Sequence, residues 1–104
     1  MSIRCYIVDD EPLAVRVLEK YVMQTPALTL CGTSTAALQA LSELQQQRID
    51  LLFLDINMPE LSGISLARTL VQPPLLVFTT AYPEFAVEGF ELEALDYLVK
   101  PFSF

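Results

Sequence analysis

Apolar residues fall into short continuous runs, and between the runs they recur with helical spacing. Ile3–Val8 is the first run, and it stops abruptly at Asp9-Asp10-Glu11. Pro12 suits the first turn of a helix, where the N–H it lacks would have no partner inside the helix. Leu13, Ala14, Val17, Leu18, Tyr21 and Val22 then repeat at helical spacing, with Arg16, Glu19 and Lys20 on the other side. Pro26 ends that helix, and residues 28–31 read as a short strand closed by Gly32. Ser34 or Thr35 can cap a second helix, whose Ala37, Leu38, Leu41 and Leu44 make one apolar face. Residues 51–54 are apolar on both faces and stop at Asp55, the pattern of a strand buried in a parallel sheet. A loop through Asn57-Met58-Pro59 and Ser62-Gly63 leads to a short helix over 64–70. Residues 75–78 form another buried run, ending at Thr79-Thr80. A fourth helix is expected over 83–90 and a last strand over 97–99, just before Lys100-Pro101.

This alternation predicts an α/β fold, a doubly wound five-stranded parallel sheet in the flavodoxin-like order 2-1-3-4-5. Such sheets bind ligands at the carboxyl ends of their strands, near the point where the strand order reverses. Strand one ends at Asp9, Asp10 and Glu11, strand three at Asp55, strand four at Thr79 and Thr80, and strand five at Lys100. Each is ordinary alone, since carboxylates cap helices and threonines finish strands. Their meeting on one sheet edge is not ordinary.

Composition narrows the chemistry. A chain of 104 residues, 53% apolar, suits one domain with one core. Its unbroken apolar runs fall far short of the roughly 20 residues that span a bilayer. Six basic against thirteen acidic residues leave a net charge of −7, which repels nucleic acid and anionic membrane. Three consecutive acids from Asp9 argue against a secretory leader. Cys5 and Cys31 lack metal-type spacing and read as buried free thiols of a reducing, cytoplasmic environment. With no histidine, zinc centres and histidine-dependent triads are excluded within this chain.

Carboxylates, hydroxyls, one well-placed lysine and the backbone remain. Three clustered carboxylates repel one another, so they need a divalent cation, and an all-oxygen site suits Mg²⁺. Asp9, Asp10 and Asp55 carry −3, and Mg²⁺ with Lys100 returns +3. Asp55 could then attack phosphorus in line, with Thr80 holding a phosphoryl oxygen.

The motifs Val8-Asp9-Asp10-Glu11-Pro12, Leu54-Asp55-Ile56-Asn57-Met58-Pro59 with Gly63, Thr80-Ala81, and Asp96-Tyr97-Leu98-Val99-Lys100-Pro101-Phe102 stand in one order along almost the whole chain. They resemble the receiver domain of bacterial two-component response regulators. The stretch from Thr79-Thr80-Ala81-Tyr82 to Ala94-Leu95-Asp96-Tyr97 is similar to the LytR/AlgR (LytTR) branch. The resemblance implies Asp55 as phosphoacceptor, and Asp9, Asp10, Asp55 and the Asn57 carbonyl as Mg²⁺ ligands. It further implies Thr80 and Lys100 as phosphoryl contacts, Tyr97 as a rotamer switch, a sensor histidine kinase as partner, and a cis Lys100-Pro101 bond. Residues 1–104 are then expected to be a receiver domain lacking its fifth helix and the DNA-binding output domain. An apolar strip left open there, or the fourth-helix and fifth-strand surface, is expected to produce a homodimer. Two other readings compete: an aspartate-nucleophile phosphatase-like enzyme, or a degenerate receiver serving only dimerisation. Against the first, Asn57 stands where such enzymes need a second acid, and an amide cannot transfer a proton.

Overall fold

The structure is a computed structural model and describes residues 2–81 and 96–100. The elements in chain order are β1 (Ile3–Val8), α1 (Pro12–Met23), β2 (Leu28–Ser34), α2 (Ala37–Gln46), β3 (Leu51–Asp55), α3 (Gly63–Thr69), β4 (Leu75–Thr80) and β5 (Asp96–Val99). All neighbouring strands pair in parallel, in the order β2-β1-β3-β4-β5. This is the expected doubly wound sheet. The expected fourth helix, the Lys100-Pro101 bond and the side chain of Tyr97 lie outside the described residues.

Successive strand residues point to opposite faces, so each strand feeds two cores. On one face Tyr6, Val8, Leu52, Leu54, Leu76 and Phe78 pack with Ala37 and Ala40 of α2 and Ile64, Leu66 and Ala67 of α3. On the other, Cys5, Ile7, Leu51, Phe53 and Val77 pack with Val15, Leu18 and Val22 of α1. Each buried side chain of this size contributes about 1.5–3 kcal/mol, which is why the strands contain unbroken apolar runs.

Four local expectations need correction. In α1 the buried stripe is Val15, Leu18 and Val22, while Leu13 and Tyr21 are exposed. That helix is apolar over more than one face, so its contact with the sheet selects the stripe and spacing alone does not. Gly32 does not close β2, which runs on to Ser34. It pairs with Tyr6 just past a register shift, and a Cβ at position 32 would stand 2.7 Å from the Tyr6 ring. The bare glycine lets that ring lie against β2 and its hydroxyl donate to Glu43 on α2. Ala36 is the N-cap of α2 and provides no side-chain bond. Ser34 acts two residues earlier, its hydroxyl accepting from Ala36 N at 3.1 Å. Finally, Cys5 is buried as expected, whereas Cys31 is only half-buried.

No helix among the described residues is long and apolar enough to cross a membrane. Beyond β3, the loop turns tightly at Glu60, whose φ is 71°, and Leu61 N donates to Pro59 O at 2.8 Å across it. Ser62 then caps α3, accepting from Ser65 N at 3.2 Å.

Candidate functional site

Parallel pairing brings the ends of β1, β3, β4 and β5 to one edge of the sheet. Asp9 follows β1 directly, and its N–H donates to Ser34 O at 3.1 Å. Its fully buried carboxylate accepts from Glu11 N at 2.9 Å and from the Thr79 hydroxyl at 3.3 Å. Asp55 ends β3 and is also buried, with its Oδ1 accepting from Asn57 N at 3.1 Å. The chain beyond is fixed by Ile56 N donating to Thr79 O at 3.0 Å and Gly63 N donating to Ile56 O at 2.9 Å. Lys100 N donates to Thr80 O at 2.7 Å, so the lysine extends the β4–β5 ladder.

Side chains converge on this frame. Carboxylate oxygens of Asp9, Asp10 and Asp55 lie within 4.8 Å of one another, and Asp10 is the least buried of the three. The Lys100 ammonium stands 3.1 Å from Asp9, 2.6 Å from Glu11 and 3.4 Å from Asp55. The Thr80 hydroxyl donates to Asn57 Oδ1 at 3.0 Å. Asp9, Asp10, Asp55 and Lys100 are thus gathered as expected, with Thr80 and Asn57 adjoining. Tyr97 is placed in β5 opposite Phe78 by the strand register. Two partnerships were not foreseen: Thr79 with Asp9, and Glu11 with Lys100. The Asp-Asp-Glu run and the paired threonines were their only signal.

The charges are unbalanced. Burial first, then the Asp10 hydrogen bond and the Asp9 charge, push the Asp55 carboxyl up to about 8, against the Lys100 charge and the Asn57 N–H. Burial works to lower the pKa of Lys100, yet bonds to Glu11 and Asp9 and the Asp9 and Asp55 charges outweigh it and raise it. The donors are all carboxylate oxygens, which fits a small hard divalent cation. Their spread of up to 4.8 Å is close to the about 4.2 Å between oxygens on opposite sides of such an ion.

A pH dependence follows for the metal-free chain. Asp55 keeps its proton in the fold up to about 8, whereas the unfolded chain loses it near 3.8. Its contribution to stability is therefore fully present below pH 3.8 and is lost as pH rises through about 8. Urea midpoints in EDTA should fall between pH 5 and 8.5 more steeply for the wild type than for Asp55→Asn. The difference in slope is at most about 1.4 kcal/mol per pH unit, the limit for one proton. Equal slopes would show that Asp55 titrates alike in both states.

A groove of about 900 Å³ opens at the opposite, amino end of β3 and β4, between Leu44, Ile49, Leu70 and Leu75. Beside it, the Arg4 N–H first and then Arg48 hold the Asp50 carboxyl below its usual range. None of the carboxylates gathered around Lys100 lines that groove.

The model of the response regulator receiver domain family matches residues 5–104. The chain is 44% identical over 100 residues to the transcriptional regulatory protein YpdB of Escherichia coli K12, covering 93% of this chain and 41% of that protein. It is 43% identical over 100 residues to the sensory transduction protein LytT of Enterococcus faecalis, with the same two coverages. It therefore spans about two fifths of the length of these curated relatives. Among solved structures, the response regulatory domain of MrkE from Klebsiella pneumoniae superposes with a TM-score of 0.88 at 39% identity, covering 97% of this chain and 85% of that one. With the motifs, the strand order and the acidic cluster all in place, the chain belongs to the receiver domains of two-component response regulators, in their LytR/AlgR (LytTR) branch.

Proposed function

We propose that this receiver takes a phosphoryl group from a sensor histidine kinase onto Asp55. The observation that carries this reading is the Asp55 carboxylate at a strand end, 3.4 Å from the Lys100 ammonium and clustered with Asp9 and Asp10. An Asp55 oxygen forms the new P–O bond as the donor's P–N bond breaks and imidazole leaves. Asp9, Asp10, Asp55 and the Asn57 main-chain carbonyl would hold Mg²⁺. When bound, that ion would neutralise the carboxylates and spread charge on the transferring group. Lys100 supplies a further positive charge to the phosphoryl oxygens, and Thr80 a hydroxyl. Asn57 offers no acid to turn the product over, and its amide oxygen already accepts from Thr80. This favours a signalling device over a phosphatase-like enzyme. In the whole protein, by analogy with relatives named as transcriptional regulators, the phosphorylated receiver would control a DNA-binding output region.

Acetyl phosphate with Mg²⁺ should add the mass of one phosphate to the intact chain, and EDTA should prevent it. No gain, or a gain indifferent to EDTA, overturns the reading.

Transmission would run through Thr80 and Tyr97. A phosphoryl group on Asp55 brings three acceptor oxygens, which would draw the Thr80 hydroxyl from Asn57 and free space for the Tyr97 ring. Thr80→Ala should keep at least about a third of the wild-type phosphorylation rate while amide exchange over 96–99 stops responding to phosphate. An equal exchange response in both proteins would remove Thr80 from the coupling.

A further inference from the structure

Lys100 is shared among three carboxylates, and the sharing is uneven. Its Nζ lies 2.6 Å from Glu11 Oε1, 3.1 Å from each oxygen of Asp9 and 3.4 Å from Asp55 Oδ2. An ammonium has three N–H bonds, so three carboxylate partners occupy all of them. The shortest contact goes to the residue most open to water: the Glu11 side chain is 59% exposed, against 0% for Asp9 and 3% for Asp55. Glu11 is itself anchored. Its N–H donates to Asp9, it is the N-cap residue of α1, and its carbonyl accepts from Val15 N at 3.2 Å.

A phosphoryl group on Asp55 would place three acceptor oxygens and nearly two negative charges beside the longest of these contacts. Lys100 already aims one N–H at Asp55, and it can give the phosphoryl oxygens a second only by giving up another partner. Glu11 is the one released at least cost, because water can take the place of the ammonium at an exposed carboxylate but not at buried Asp9.

We propose that Glu11 is a positioning residue that keeps Lys100 at its long contact with Asp55 before phosphorylation and releases it toward the phosphoryl group afterwards. The strength of the Glu11–Lys100 pair then sets how readily the phosphorylated state forms. The release rests on Asp55 being the phosphoacceptor; the hold does not.

The chain has two lysines, Lys20 and Lys100. In a ¹⁵N-lysine-labelled Lys20→Arg protein, the ammonium signal therefore belongs to Lys100. Without metal, Glu11→Gln is expected to move that signal and shorten its exchange lifetime. With Mg²⁺ and beryllofluoride, a mimic of the acyl phosphate, the wild-type signal should leave its metal-free position. Glu11→Gln should bind the mimic roughly three- to tenfold more tightly, as expected for removing one short charge-assisted contact. Glu60→Gln, which removes the same charge from an exposed loop residue, should bind it like the wild type. An unmoved Lys100 signal in Glu11→Gln overturns the hold. Unchanged affinity, or an equal gain in Glu60→Gln, overturns the release. If Lys100 answers to Glu11 while no protein binds the mimic or gains phosphate, the phosphoacceptor reading and the release fall together and the hold stands.

Discussion

Asp55→Asn will gain no phosphate from acetyl phosphate and Mg²⁺, while remaining folded. The amide keeps the shape of the carboxyl and an oxygen to accept from Asn57 N, so the turn after β3 survives. It loses the anionic oxygen that faces Lys100, and with it the nucleophile. The wild-type Asp55 is already driven toward its neutral form by burial and by Asp10 and Asp9. Replacing it with a neutral group therefore leaves the metal-free fold at least as stable at pH 8. Intact mass and peptide mapping decide the matter: loss of the gain should be complete, and a phosphate still found on the peptide carrying position 55 would place the chemistry elsewhere.

The second large effect is expected at a residue with no functional group. A Cβ built on Gly63 would fall 2.8 Å from the carbonyl carbon of Asp55, closer still to its oxygen, and 3.1 Å from Ile56 Cα. All three are backbone atoms that cannot swing aside. As the first residue of α3, position 63 would otherwise gain up to about 1 kcal/mol from alanine. Overpacking against main chain outweighs that gain, so Gly63→Ala should lose about 2–4 kcal/mol in urea unfolding. Total stability is only about 5–15 kcal/mol. Where the variant folds, the clash must move Asp55 itself, and a misplaced nucleophile slows phosphorylation by roughly a hundredfold. A variant of unchanged stability and rate would show that the loop between β3 and α3 yields easily.

The strands were legible because a parallel sheet buries both faces, and only unbroken apolar runs such as residues 51–54 suit that environment. Their ends were legible for the same reason, since Asp9, Asp55 and Lys100 interrupt those runs. The stripe of α1 was not, because exposed Leu13 is as apolar as buried Leu18 and only contact with the sheet distinguishes them. The use of Gly32 depended on the Tyr6 ring across a register shift, a relation absent from either strand alone. Within the site, the types of residue were evident but their pairings were not. Glu11 and Lys100 are 89 residues apart, and nothing local says which of several carboxylates this lysine approaches most closely.

The distance along the chain between the carboxylates and their counter-charge also bears on how the protein is made. Asp9 and Asp55 come together once β1 pairs with β3, whereas Lys100 arrives with β5, 45 residues after Asp55. At about 5–20 residues per second, ribosomal synthesis leaves roughly two to nine seconds between the two events. Throughout that interval a nascent chain that has joined β1 to β3 gathers the carboxylates without their lysine, and Asp55 must take up a proton to escape their repulsion. Early pairing is therefore penalised, and the final strand docks with electrostatic attraction added to its apolar contacts. A chain released from the ribosome before residue 100 would keep that penalty and offer an unpaired edge of β4 to its neighbours, the kind of edge that recruits other strands into aggregates.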